Sequence, residues 1–210
     1  MAPGAAADGW LDISESARRF GHYAWGERRL FETLGGWIPT VPEPAAKVLL
    51  GSHCAHHAWH AELCAERLPM LPERASAELV VPASEALVAF FDALAASSDQ
   101  ASTVEKLAGV YRVVLPHTLA AYRDHLDRVD RDVDAPTARA LTLIVRDEED
   151  HIREGEALIG SLAATAELGE RVATRQAHLA KLLARAGGIA GSGARGEADR
   201  PAGREANQPT

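Results

Sequence analysis

The chain has 210 residues, enough for one domain with a substantial core and too few for two of ordinary size. Its net charge of −8 argues against nucleic-acid binding, which needs a basic face to displace counterions from phosphates. Apolar residues make up 47% of the chain, led by alanine and leucine, with aromatics at 5%. That mix favours helix over sheet.

No apolar run approaches the length of a membrane span. The opening MAPGAAADGW has no basic segment leading into an apolar one, so no signal peptide is expected. Cys54 and Cys64 stand ten residues apart in what reads as one helix, about 15 Å along its axis, too far to bridge. Free thiols suit a reducing compartment, and the expectation is a soluble cytoplasmic protein.

Residues 1–11 read as a flexible N-terminus, 12–186 as one helical domain and 187–210 as a disordered tail. A first helix is expected from the capping-box-like Ser14-Glu15-Ser16-Ala17 to Leu34, stopped by Gly35-Gly36. Its apolar stripe is Ile13, Ala17, Phe20, Ala24, Phe31 and Leu34, interrupted by Glu27. A loop through Pro39 and Pro42 leads to a second helix over 45–68, closed by Pro69. A short crossover helix over 85–96 precedes a third long helix from about residue 103 to 129. Pro116 should kink that helix or open its hydrogen bonding. Pro136 suits the first turn of a fourth helix that runs to about Leu162. A fifth, over 168–186, would pack outside the bundle. The fold class is all-α.

The chemistry lies on the inward stripes. On the fourth helix the stripe is Leu141, Ile144, Glu148, His151, Gly155 and Leu158, so Glu148 and His151 point the same way. A bare E-x-x-H is common, and a solvated charged turn is its bland explanation. On the second helix Leu50, His53, His57, His60 and Cys64 share one face within roughly 80° of arc, with His56 beside them. Stacked imidazoles on an apolar face have no cheap structural role, because each must satisfy two ring nitrogens. Imidazole is also the commonest metal ligand. On the third helix the inner face reads Leu107, Val110, Val114, His117, Ala121 and His125.

Heights can be compared by counting from the turns. From about residue 42, Glu27 and His57 are each fifteen residues away; from about residue 132, Glu148 lies sixteen forward and His117 fifteen back. Residues on four helices should therefore meet in one layer.

Four long helices, a crossover between the second and third, and the string Ile144-Val145-Arg146-Asp147-Glu148-Glu149-Asp150-His151 resemble the ferritin-like superfamily of di-iron carboxylate proteins. The resemblance covers residues 12–163 and implies a ferritin-like four-helix bundle with a crossover helix and an added C-terminal helix. It matches Glu27 to the first-helix glutamate and Glu148 with His151 to the fourth-helix pair. The chain departs from the pattern on the other two helices. His57-Ala58-Trp59-His60, or His53-x-x-His56, stands where a second E-x-x-H is expected, and His117 stands where the third helix should carry a glutamate.

The ligand set implied is Glu27, His57, His60, His117, Glu148 and His151, with His53 or His56 in reserve. Asp147, Asp150 and Asp124 would fix histidine tautomers. Trp59 and Tyr111 would line a substrate cavity. Two iron ions are expected, with one ion, or Mn, Zn, Ni or Cu, as alternatives, since two carboxylates leave two divalent ions under-neutralised. The function implied is a non-heme oxygenase or oxidase that uses O₂ on a small organic molecule. A non-catalytic metal-binding or structural bundle is the alternative. Neither nucleic acid nor membrane is an expected partner, and a homodimer stays open.

Overall fold

The computed structural model describes residues 9–70, 75–96, 103–163 and 165–191, and every regular element among them is a helix. Helix α1 (Ile13–Trp37) begins one residue earlier than expected because Asp12 caps it, its carboxylate accepting from the Glu15 N–H at 2.7 Å. It also runs through Gly35-Gly36, neither of which has a positive φ. A Cβ on Gly35 would meet Cys54 Sγ at 3.3 Å, so this glycine serves close helix packing rather than termination. Ile13 and Phe31, expected on the core stripe, are exposed; the buried face is Phe20, Tyr23, Ala24, Glu27, Leu30 and Leu34.

Helix α2 (Pro44–Ala65) has its proline in the first turn and ends three residues before Leu68. After a 3₁₀ turn (Ser76–Leu79), the crossover helix α3 (Glu85–Ala95) starts at Ser84, whose hydroxyl accepts from the Leu87 N–H at 3.1 Å. The third long helix is divided. Helix α4 (Thr103–Gly109) and helix α5 (Leu115–Asp127) are joined by a π-helical turn, Val110–Val114. Helix α6 (Ala135–Leu162) is capped by Asp134, and α7 (Ala166–Arg185) by Thr165.

Helices α1 and α2 pack antiparallel: Phe31 meets Cys54 near their connection, and Glu27 meets His57 farther from it. Helices α5 and α6 do the same, and α2 lies against α6. Helix α7 packs on α3 and α4 through Val172, Leu179 and Leu183, which makes it a flanking layer of the bundle.

The core falls into two apolar clusters. One contains Leu30, Leu34, Leu50, Phe90, Phe91, Leu107, Tyr111 and Leu179; the other contains Phe20, Tyr23, Cys64, Tyr122, Leu141 and Ile144. Between them, on α1, α2 and α6 alike, the buried positions are Glu27, His57, His60, Glu148 and His151.

The disordered tail expected from Gly187 does not begin there. Residues 187–191 turn back onto the bundle on three glycines with positive φ and bury Ile189. Ile189 packs into the second cluster and its N–H donates to His117 at 3.1 Å, which holds the segment in place. The rest of that expected tail, and most of the flexible N-terminus, lie outside the described residues. Cys54 and Cys64 are both free thiols and both buried. No helix among the described residues is long and apolar enough to cross a membrane.

Candidate metal centre

Four side chains converge in the layer between the two clusters. Glu27 from α1, His57 and His60 from α2, and Glu148 from α6 each offer a donor atom, all within 4.8 Å of one another, and all four residues are buried. His57 Nδ1 lies 2.6 Å from Glu27 Oε2 and 3.7 Å from Glu148 Oε1. His60 Nδ1 lies 3.6 Å from Glu27 Oε2 and 3.9 Å from Glu148 Oε1. Ligands about 2.0–2.1 Å from a tetrahedral ion stand roughly 3.3 Å apart. The spacings bracket that value.

The remaining atoms of the four residues show why these donors face inward. The Tyr122 hydroxyl donates to Glu27 Oε1, and the Thr118 hydroxyl donates to Glu148 Oε2 at 3.3 Å. Each carboxylate thus has one oxygen held from α5 and one directed at the histidines. His60 Nε2 is held by Asp147 Oδ2 at 3.1 Å, a carboxylate–imidazole pair of the kind that supports metal-binding histidines. Two of the inward atoms, His60 Nδ1 and Glu148 Oε1, have no hydrogen-bond partner among the described residues. Buried polar atoms are rarely left this way, and a cation would satisfy both.

The electrostatics agree. Burial by itself would raise the Glu27 carboxyl, but the charges and hydrogen bonds of His57 and His60 outweigh it and hold Glu27 below the usual carboxylate range. Glu148 is pushed well above that range by burial and then by the negative charge of Glu27. His60 is raised, since Glu27 and Asp147 overcome its desolvation. Without a cation, two buried carboxylates side by side require a proton between them.

A second tier of histidines leads away from this centre. His151 is 2% exposed and is pushed far below the ordinary imidazole range, first by burial and then by its histidine neighbours. Its ring stacks on His53 at 3.9 Å, its Nε2 meets His56 Nδ1 at 2.8 Å, and its Nδ1 has no partner among the described residues. His53 is tied to the Tyr111 hydroxyl at 2.7 Å and to Glu154 at 3.1 Å.

Of the expected ligands, then, Glu27, His57, His60 and Glu148 come together, while His151, His53 and His56 stand next to them. His117 does not join them. It lies half-buried on the outer side of α5, accepting from the Ile189 N–H at 3.1 Å. The π turn inserts an extra residue ahead of it, which turns the following helix by about 100° and gives the inward positions to Leu115, Thr118 and Tyr122.

Asp124 and Asp150 are drawn off by arginines, Arg19 at 2.7 Å and Arg153 at 2.5 Å, so of the three expected aspartates only Asp147 supports a histidine. Trp59 is 41% exposed, whereas Tyr111 is wholly buried and serves His53. Thr118, Tyr122 and Glu154 escaped the sequence reading. The first two lie on the stripe that ends at His125, a pattern that becomes visible only once the π turn is placed. No known protein family, characterised protein or solved structure matches this chain.

Proposed function

We propose that this protein is a non-heme metalloenzyme that holds one divalent cation between Glu27, His57, His60 and Glu148 and uses it, with O₂, to oxidise a small organic molecule. The observation that carries the metal assignment is the inward pair of buried atoms without partners, His60 Nδ1 and Glu148 Oε1, at ligand spacing from Glu27 and His57. Two carboxylates balance one divalent ion, which favours a single ion over the pair that the ferritin-like resemblance implies. Iron is the first candidate, because ferrous iron held by histidine and carboxylate with an open position can bind and reduce O₂. In the same proposal the bundle is ferritin-like and the protein works in the cytoplasm, in keeping with its two buried free thiols.

In this reading the chain's own groups set the geometry. Tyr122 and Thr118 each occupy one carboxylate oxygen so that the other can bind, and Asp147 keeps His60 oriented with Nδ1 inward. The two apolar clusters above and below exclude water.

A non-catalytic metal site is the second reading. What favours it is that four protein donors complete a tetrahedral shell, as structural sites do, whereas catalytic sites keep a position open. Elemental analysis of the purified protein, followed by O₂ uptake of the iron-loaded form, separates the two. One ion per chain with O₂ consumption that disappears in Glu148→Gln supports the enzyme. One ion with no O₂ reaction leaves the structural reading, and protein that binds no divalent metal refutes both.

A further inference from the structure

A centre whose four ligand residues are buried poses a question of access. A hydrated cation cannot shed its water and cross an apolar layer at an ordinary rate, so it needs donors along its path. The faces of the bundle differ in what they offer. On the α1–α5 side the centre is covered by Phe20, Tyr23 and Tyr122, with Ile189 docked over them. Between α1 and α2 the helices close tightly at Gly35 and Cys54. The α2–α6 side is different. His56 is exposed, Glu154 is 51% exposed, and behind them His53 and His151 are nearly buried.

These four side chains form a graded series. Glu154 Oε2 meets His53 Nε2 at 3.1 Å, and His56 Nδ1 meets His151 Nε2 at 2.8 Å. The rings of His53, His151 and His56 are stacked, with centroids 3.9 Å apart for the first two and 5.1 Å for the last two. His151 then faces His57 edge-on at 5.3 Å and lies 6.1 Å from His60. Its Nδ1, the nitrogen not used by His56, is buried and has no partner among the described residues. Asp147, also on α6, is committed to His60.

Resting on the metal-centre reading above, we infer that His56, His151, His53 and Glu154 form an acquisition port on the α2–α6 seam, where a borderline divalent cation is captured by imidazole and carboxylate before passing inward. Capture breaks the hydrogen bond shared by His56 and His151, and its proton moves to the other nitrogen of the ring that carried it, so both rings stay neutral and each turns a bare nitrogen to the ion. Ligand exchange along the stack then carries the ion to Glu27, His57, His60 and Glu148 without a bare intermediate. Imidazole-rich capture selects Co²⁺, Ni²⁺, Zn²⁺ and Fe²⁺ over Mg²⁺ and Ca²⁺, which prefer oxygen.

A port speeds entry and exit equally, because it lies on the path and not at the end point. The test is therefore kinetic. Full-length metal-free protein is mixed with Co²⁺ and the visible absorption of the bound ion is followed by stopped flow; release is followed by adding excess chelator. In His56→Ala and in His56→Ala/Glu154→Ala, whose altered side chains are exposed enough to leave the fold intact, loading and release should both slow more than tenfold. The final stoichiometry and dissociation constant should match the parent protein within about threefold. Unchanged rates alongside normal loading of the parent protein would overturn the port and leave the metal centre standing. A weaker dissociation constant would also overturn it, since His56 would then be a ligand of the resting site. Parent protein that takes up no Co²⁺ would refute the metal centre itself.

Discussion

At the scale of single residues, the hydroxyls of Tyr122 and Thr118 decide how the two acids can act. Each fixes one carboxylate oxygen and leaves the other aimed at His57 and His60. Removing such an outer partner typically costs 10–100-fold in metal affinity. Tyr122→Phe should therefore weaken metal binding by about that factor in chelator competition, with helix content retained; an unchanged affinity would show that Glu27 needs no such support. His125 makes a separate prediction, about pH. It is buried against Phe20 and Tyr23 with Nε2 on Ser16, and burial, then the charge of Arg19, lowers it to about 4 from 6.5. Below pH 6.5 the unfolded chain takes up a proton that the folded chain refuses until about pH 4. The contribution is thus fully present above 6.5 and lost as the pH falls towards 4. By linkage it amounts to about 2 kcal/mol between pH 7 and 5. In urea titrations of metal-free protein, His125→Gln should shrink the pH 7-to-5 loss of stability by about that amount. An equal loss in both proteins would mean that His125 protonates without cost in the fold.

At the scale of elements, the π turn explains both what the sequence revealed and what it concealed. Glu27, His57, His60 and Glu148 were legible because polar residues interrupt apolar stripes at matching distances from the α1–α2 and α5–α6 turns. Their heights follow from chain length and antiparallel packing alone. The direction of a side chain is more fragile, since one extra residue in a turn rotates everything after it. Pro116 has no N–H, and in a regular helix its ring would strike the Arg112 carbonyl; the widened turn at Val110–Val114, where the Leu115 N–H reaches the Val110 carbonyl, avoids that clash. The cost to the reading was His117, and the residues that gained the inward face were Thr118 and Tyr122. Asp124 and Asp150 miss the histidines for a different reason, because nearby arginines compete for them, and helical spacing cannot weigh that. The same turn places Tyr111 flat against Gly155 of α6. A Cβ on Gly155 would come within 2.1 Å of the Tyr111 ring, which is wholly buried and cannot retreat. Gly155→Ala should cost about 1–3 kcal/mol through overpacking, read as a lower melting temperature. A variant as stable as the parent would mean that α6 and the π turn sit farther apart in solution.

For the molecule as a whole, the polar layer divides the core, so neither apolar cluster alone spans the bundle and the seams over the layer matter more than their area suggests. The seam between α1 and α5 is sealed by residues 187–191. Gly187, Gly188 and Gly191 take positive φ to turn the chain, the Ile189 N–H donates to His117, and the Ile189 side chain fills the notch left by Gly26, next to Glu27. A Cβ on Gly26 would lie 2.3 Å from Ile189 Cδ1, so the notch exists only because position 26 has no side chain. Ile189 is 1% exposed and packs with the cluster of Phe20, Tyr23 and Tyr122. Truncating a buried isoleucine to alanine costs about 2–5 kcal/mol, and a site on a short terminal strap should fall at the low end because the strap can relax or detach. Ile189→Ala in the full chain should therefore destabilise the protein by about 2 kcal/mol in urea titration. Its metal stoichiometry should stay unchanged, since every proposed ligand lies on α1, α2 or α6. Stability equal to the parent would mean that the strap is not docked in solution and that the α1–α5 seam stands open to solvent beside Tyr122.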